Sequence, residues 1–348
     1  MRIVKLFLIN LVILLLFVEI ISFTLLKLNI FPDGLPPSIT LNAHQKYSYW
    51  HPKKQFFKIA SKCWKSEVYF NSIGMKQKEI FIEKNKPRIA IIGDSMTENL
   101  QLSNNIDFTS KLQKLLPNYE ILNFSISSTG LADQIRIYDN LVKNYKPDYL
   151  FLYVTENDYL DNSIFDQRPN RVTYKVVKDQ IHKVDRNYKF FNEYFSKKNI
   201  FTREKLIHIK KISNFYKILW YLKYEILAKD EIKKKKKLQI DFKDNKIIFN
   251  KILNDANEKI FKHVNTFIFL NVNNHEDMKY SNVRLEMISS LNKYNNFFDT
   301  QTSAIDYLKK NNKFKFPYLG FECDGHYSEL GVEFLSEFTF KKFRENIN

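Results

Sequence analysis

Glycine is scarce in this sequence, with seven residues in 348. Neither a phosphate-cradling loop nor a dinucleotide fingerprint follows any of its apolar runs. Cysteine is scarcer: Cys63 and Cys323 are the only two, and no zinc pattern is present. Six of the seven histidines, His44, His51, His182, His208, His263 and His275, stand at no ligand spacing and have no assigned role. Nucleotide, dinucleotide and zinc chemistry thus have no carrier, and no metal or cofactor is expected. Acidic residues are outnumbered, 38 against 55 basic, for a formal net charge of +17. Such a charge would suit an anionic partner. The excess lysine, however, is spread through a chain also rich in Asn, Ile, Phe and Tyr, with no basic stripe on a recognisable binding motif. A general composition bias is the better reading, and no nucleic-acid partner is expected. What the chain does have is apolar material, 44% of its residues, enough for one large domain with room for an insertion.

The amino terminus reads as a membrane segment. Residues 6–26 are almost uninterrupted hydrocarbon and would extend about 31 Å as a helix, the thickness of a bilayer core. Arg2 and Lys5 precede the run and only Lys27 follows it before Ala43, so the positive-inside bias places the amino terminus in the cytoplasm and the rest of the chain outside. A cleaved signal peptide is the rival, but Ser22-Phe23-Thr24-Leu25-Leu26 offers no small-x-small site and the run is long, which favours an uncleaved anchor. Glu19 lies within the span, where a carboxylate is costly. It is either a functional or partner-binding group or a protonated side chain near the outer interface. Residues 1–29 are therefore expected to be an anchor and 30–69, with Pro32, Pro36 and Pro37, an extended tether and lead-in. Residues 70–348 form the globular part.

Within it, apolar units alternate as in a doubly wound α/β sheet. Ile89-Ala90-Ile91-Ile92-Gly93-Asp94-Ser95 reads as a buried parallel strand ending in a polar tip. Phe108, Leu112, Leu115 and Leu116 stand at helical spacing, 119–124 is a strand, and Leu131, Ile135, Tyr138, Val142 and Tyr145 mark a helix stopped by Pro147. Strands follow at 149–154, 267–272 and 296–300. A last amphipathic helix runs from about 328 to 343, burying Val332, Leu335, Phe338 and Phe343. Between the third and fourth strands, about 161–250 is an insertion too long for a simple crossover. Its stretch 200–227, with Phe215, Tyr216, Trp220 and Tyr221, reads as basic and helical, and five lysines follow at Lys233 to Lys237. Three readings stand: a cap over the active site, a segment lying on anionic lipid, or a solvated helical excursion with a lysine loop.

Ser95 ends the first strand where open α/β sheets place their ligands. More than two hundred residues later comes Cys323-Asp324-Gly325-His326. A serine hydroxyl becomes a nucleophile when a histidine takes its proton and a third group fixes the histidine; Ser95, His326 and Asp324 fill these positions. Gly93-Asp94-Ser95, Asn123-Phe124-Ser125-Ile126-Ser127-Ser128-Thr129-Gly130, Thr155-Glu156-Asn157-Asp158 and Asp324-Gly325-His326 stand in the order of the four blocks of the SGNH hydrolases, also called GDSL esterases. From about residue 70 to the carboxyl end, outside the insertion, the chain resembles that family.

The resemblance implies a flavodoxin-like three-layer α/β/α fold with a five-stranded parallel sheet, and ester chemistry without a cofactor. Ser95 is then the nucleophile, His326 the base and Asp324 its orienter. The backbone amide of Ser95, a block-two amide and the side chain of Asn157 form the oxyanion hole. For Asn157-Asp158 a turn and helix cap is the plainer alternative. Block two departs from the family: Ser128 stands where the oxyanion glycine is usual, and the nearest glycine is Gly130. A serine retains the amide but adds a Cβ that narrows the pocket and disfavours a positive φ. Four of the seven glycines, Gly93, Gly130, Gly325 and Gly331, fall in or beside these blocks. Cys63 and Cys323 either form one disulfide outside the cytoplasm or remain separate buried thiols. The expected function is hydrolysis or transfer of an acyl group, foremost O-acetyl, on a cell-envelope or secreted glycan. A lipid ester or thioester hydrolase, or a non-catalytic membrane-tethered glycan-binding factor of the same fold, are the alternatives.

Overall fold

A computed structural model of the chain describes residues 2–44, 46–163, 171–178, 180–184, 211–223, 242–274, 278 and 280–347. The chain divides into two compact units. One comprises Met1–Ile39, Phe57–Ser66 and Asn187–Gln239, the other Thr40–Phe56, Glu67–Arg186 and Ile240–Asn348.

The second unit carries the sheet. In chain order its strands are β1 (Asn42–His44) and β2 (Ser48–Trp50), paired as an antiparallel hairpin, then β3 (Gln55–Ala60), which begins in this unit, and β4 (Lys65–Phe70), most of which lies in it. There follow β5 (Arg88–Ile92), β6 (Glu120–Asn123), β7 (Tyr149–Val154), the antiparallel pair β8 (Thr173–Val177) and β9 (Gln180–Val184), then β10 (Asn265–Leu270) and β11 (Phe297–Asp299). Five of these form one wholly parallel sheet in the order β11-β10-β7-β5-β6. Renumbered along the chain this is 2-1-3-4-5, the flavodoxin-like doubly wound order, and the connections reverse direction between β5 and β7. In sheets of this order ligands bind outside the carboxyl ends of the two strands that flank the switch point.

The strands were legible because a parallel sheet is covered on both faces, so both alternating sets of side chains are apolar. Ala90, Ile92, Leu150, Leu152, Ile268 and Leu270 pack into one core with helices Leu131–Asn140, Phe242–Ala256 and Asn282–Leu291. Ile89, Ile91, Phe151, Tyr153, Phe267 and Phe269 pack on the other face with Phe108–Leu115, Gln301–Lys310 and Glu329–Asn346. The Phe343 ring meets the rings of Tyr149, Phe151 and Phe267 edge-on at 5.0, 5.2 and 5.3 Å. Full burial of one such ring is worth about 2–3 kcal/mol. The last helix starts behind Ser328, whose side chain accepts from the Gly331 amide, and it buries Val332, Leu335, Phe338 and Phe343 as its spacing predicts.

Three segments depart from expectation. The helix expected to run from Leu131 to Tyr145 ends at Asn140; Leu141 turns away at φ −134°, and Val142–Tyr145 is a separate 3-10 turn. The 30–69 stretch is not simply extended. Pro37–Thr40 is a 3-10 turn, β1 and β2 pair, and Trp50 is buried with its indole donating to the Ile73 carbonyl at 2.6 Å. The 161–250 insertion is not wholly helical, since β8 and β9 form a hairpin within it; Lys233 to Lys237 lie outside the described residues. In the first unit, Arg2–Lys27 is one continuous helix, long and apolar enough to cross a membrane.

Candidate active site

β5 is fully buried and ends directly in Gly93-Asp94-Ser95. A Cβ at Gly93 would stand 2.4 Å from Thr97 Oγ1 and 3.1 Å from the Tyr153 Cβ, so only glycine fits between the strand and the turn that follows it. Asp94 accepts from the Met96 amide at 3.0 Å and caps the short helix Ser95–Glu98. It also accepts from Thr155 Oγ1 at 3.1 Å, which ties the end of β5 to the end of β7. The pull of the nucleophile turn on block two is equally direct: Phe124 N donates to Ile91 O at 2.8 Å and Ile126 N to Gly93 O at 3.2 Å.

The antiparallel strands β12 (Gly320–Phe321) and β13 (Asp324–Tyr327) carry the histidine. Tyr327 is buried and holds this hairpin in place; its carbonyl accepts from Asn99 Nδ2 at 3.0 Å and its hydroxyl accepts from Val272 N at 2.9 Å. One residue earlier, His326 Nε2 lies 2.8 Å from Ser95 Oγ, while Nδ1 is hydrogen-bonded to Asp324 Oδ1. The same Asp324 oxygen accepts from the His326 amide at 3.1 Å, and Oδ2 accepts from Gln101 Nε2 at 3.3 Å. Because Nδ1–H faces a carboxylate, the imidazole presents its Nε2 lone pair to the serine hydroxyl.

Electrostatics follow from burial and neighbours. Burial disfavours the His326 imidazolium, but the hydrogen bond and charge of Asp324, with Asp94 and Glu98 behind it, outweigh this and hold its pKa above the ordinary 6.5. Burial also pushes Asp324 upward, yet its bond to His326 prevails and its pKa is lowered. Asp94 is raised chiefly by burial, and Asp158 well above the carboxylate range by burial and by the charge of Asp94.

The candidate oxyanion residues separate into two groups. Ser128 adopts φ +63°, the left-handed conformation that glycine takes without cost, so the substituted position retains a glycine-like backbone. Gly130 does not share it: its amide donates to Asp133 Oδ2 at 3.2 Å and it caps the helix Leu131–Asn140 at φ −106°. Asn157 is exposed at the carboxyl end of β7, and one of its two amide protons goes to Asp161 Oδ2 at 2.8 Å.

Three residues that sequence reasoning left unassigned hold these groups. Arg171 is buried and joins the blocks, donating from Nε to Ser128 O at 2.9 Å and pairing through Nη1 with Asp161 Oδ2 at 2.9 Å. Glu98 accepts from the Ser127 amide at 2.8 Å and from its hydroxyl, and bonds His51 Nε2 through the other oxygen. His51 Nδ1 is 2.9 Å from the Thr40 carbonyl, which can only accept, so Nδ1 donates there. Glu98 lies one helical turn past Ser95, the only hint in the sequence; His51 and Arg171 carry none. Both cysteines are disulfide-bonded. Among the described residues there is no cluster of three or more His, Cys, Asp or Glu side chains able to hold a metal ion.

No family model matches the sequence, and no curated protein matches it. Solved structures with a similar chain course include the lipase/acylhydrolase from Enterococcus faecalis, at 11% identity over 74% of this chain and 96% of that one, with a TM-score of 0.40. An acetyl xylan esterase, AlAXEase, aligns at 12% identity over 75% and 100%, with a TM-score of 0.41. Axe2, an acetylxylan esterase from Geobacillus stearothermophilus, aligns at 13% over 74% and 93%, with a TM-score of 0.38. Overlaps this loose leave function to the geometry of the site itself.

The arrangement of His326 makes one expectation measurable. By histidine-selective NMR titration His326 titrates above 6.5, and in Asp324→Asn its pKa falls, because burial then acts with less opposition. A native value below 6.5, or no change in the variant, contradicts the assigned electrostatics.

Proposed function

We propose that this chain is a membrane-anchored serine hydrolase or acyltransferase of the SGNH type, acting on O-acylated glycans outside the cytoplasm. The observation that carries the reading is the hydrogen-bonded line from Asp324 through His326 to Ser95 Oγ, standing at the switch point of the sheet.

In this mechanism Ser95 Oγ attacks the acyl carbonyl as its proton passes to His326 Nε2, and Asp324 stabilises the imidazolium that forms. The carbonyl oxygen becomes an oxyanion facing the backbone amides of Ser95 and Ser128 and the side-chain amide of Asn157. Collapse expels the sugar hydroxyl, which takes the proton back from His326 and leaves the acyl group on Ser95. Water, activated by the same histidine, releases the acid; a second sugar hydroxyl in its place makes the reaction a transfer. Among acyl groups the smallest are favoured, since Ser128 presents a Cβ and hydroxyl where glycine would leave space. A lipid ester or thioester with a long acyl chain fits that constraint less well.

Localisation rests on two features. The helix Arg2–Lys27 has the length and apolarity of a span, with Arg2 and Lys5 at the end expected to stay in the cytoplasm. Two disulfide-bonded cysteines suit an oxidising compartment. A non-catalytic glycan-binding role has only the block-two departure in its favour, and the left-handed Ser128 weakens that objection.

Two expectations test the reading. Ser95→Ala abolishes turnover of an aryl acetate and of acetylated oligosaccharides without altering the circular dichroism spectrum; undiminished turnover removes the proposal. Ser128→Gly keeps or raises the rate, whereas Ser128→Val lowers kcat about a hundredfold, because a β-branched residue resists φ +63° and misplaces a donor. Should Ser128→Val run at the parent rate while Gly130→Val is inactive, the block-two donor is Gly130.

A further inference from the structure

The insertion contributes a second helical piece to the first unit, and this piece touches the apolar amino-terminal helix at its one carboxylate. Glu19 Oε2 accepts from the Asn214 amide at 2.8 Å, and Oε1 accepts from Ser213 Oγ. Ser213 Oγ in turn accepts from the Tyr216 amide at 3.1 Å. Residues 214–223 are helical, so Glu19 and Ser213 together satisfy orphan donors of that helix's first turn. Farther along, Lys217 pairs with Asp33 at 2.9 Å and the Tyr221 ring meets Phe31 edge-on at 5.9 Å. The helix therefore runs beside the carboxyl-terminal part of Arg2–Lys27 and the residues just after it.

Its outward side is apolar. Ile212, Phe215, Leu219 and Leu222 are 79, 40, 45 and 43% exposed. Spacings of four and three residues put Phe215, Leu219 and Leu222 on one stripe of the helix, and Ile212 stands just before its first turn. Ile218 is buried, Lys217 and Tyr221 face the partners named above, and Lys223 lies 5.0 Å over the Trp220 ring. Lys211 covers the Phe57 ring at 4.1 Å. Aromatic residues with lysines at the ends of an apolar stripe are the composition of an interfacial helix. Glu19 sets its level. It lies seven residues before Leu26, about 10 Å inside the outer end of the apolar run, among the acyl chains of the outer leaflet.

We infer that the 212–223 segment lies in the outer leaflet of the bilayer, with Ile212, Phe215, Leu219 and Leu222 against the acyl chains, locked to the membrane span by Glu19. The inference rests on reading Arg2–Lys27 as a span. It gives the intramembrane carboxylate a purpose: the groups that would otherwise be unsatisfied in lipid, a carboxyl and a helix amino terminus, satisfy each other. It also makes the insertion a second point of attachment, so that the first unit is fixed on the membrane rather than swinging on a single helix.

Because both native cysteines are disulfide-bonded, an introduced cysteine is the only free thiol. The full chain is reconstituted in vesicles of phosphatidylcholine and phosphatidylglycerol. It carries the environment-sensitive fluorophore NBD at Ile212→Cys or Leu219→Cys, with Ile13→Cys marking the span and Lys310→Cys marking the second unit. Labels at 13, 212 and 219 are expected to be quenched by doxyl lipid at least twofold more than by aqueous iodide, and the label at 310 the reverse. Labels at 212 and 219 quenched by iodide while 13 is quenched by lipid overturn the inference and leave the anchor intact. A water-exposed label at 13 overturns both. With Glu19→Leu the lipid quenching at 212 falls at least twofold, while Glu19→Gln, which keeps an acceptor, holds it; parent-like quenching in Glu19→Leu overturns the lock.

Discussion

The site depends on one imidazole held between two oxygens that the sequence keeps far apart. His326 reaches Ser95 across 231 positions at 2.8 Å, and a hydroxyl becomes a useful nucleophile only when that contact is pre-formed. Everything around it works to fix the distance. The buried β5 sets the height of Ser95, the absence of a Cβ at Gly93 lets the chain turn, and Tyr327 pins the strand that carries the histidine. Asp324 determines which ring nitrogen holds the proton and raises the cost of losing it. A shift of about 1 Å in any of these supports would cost roughly a hundredfold in rate for a reaction of this kind.

Around that line lies a shell of buried charges that decide where the amides point. Arg171 bridges the carbonyl of Ser128 and the carboxylate of Asp161, and Asp161 in turn holds Asn157. The His51–Glu98 pair grips Ser127 from the other side. Removing one member of such a buried pair leaves an uncompensated charge, typically a loss of about 3–5 kcal/mol. The left-handed Ser128 thus has two anchors, on its carbonyl and on the residue before it. Together they explain how a serine is maintained in a conformation costing about 1–2 kcal/mol for an L-residue.

Much of this was legible in the sequence, for a physical reason. Strands covered on both faces must be apolar on both, so 89–92, 119–124, 149–154, 267–272 and 296–300 announced themselves and were misplaced by two residues at most. Chemistry at the ends of such strands is short-range in sequence, and Gly93-Asp94-Ser95 and Asp324-Gly325-His326 could be picked out. The hairpin of β1 and β2 could not, because three-residue strands built from Asn42, Ala43, His44 and Ser48, Tyr49, Trp50 have no apolar period. Nor could Arg171 or His51: Ser128 and Glu98, which they hold, are 43 and 47 positions away, and no spacing rule connects a buried charge to a loop folded beside it. The break at Leu141 was hidden because Val142 and Tyr145 continue the apolar spacing while the backbone leaves the helix.

Covalent capture of the nucleophile tests the central claim most directly. The full chain is treated with a fluorophosphonate, digested, and the modified peptide located by mass spectrometry. The account predicts a single stoichiometric adduct on Ser95, formed at least about a hundredfold more slowly when His326 is replaced by alanine. No adduct on the folded protein, or an adduct at another serine with Ser95 unmodified, would contradict it.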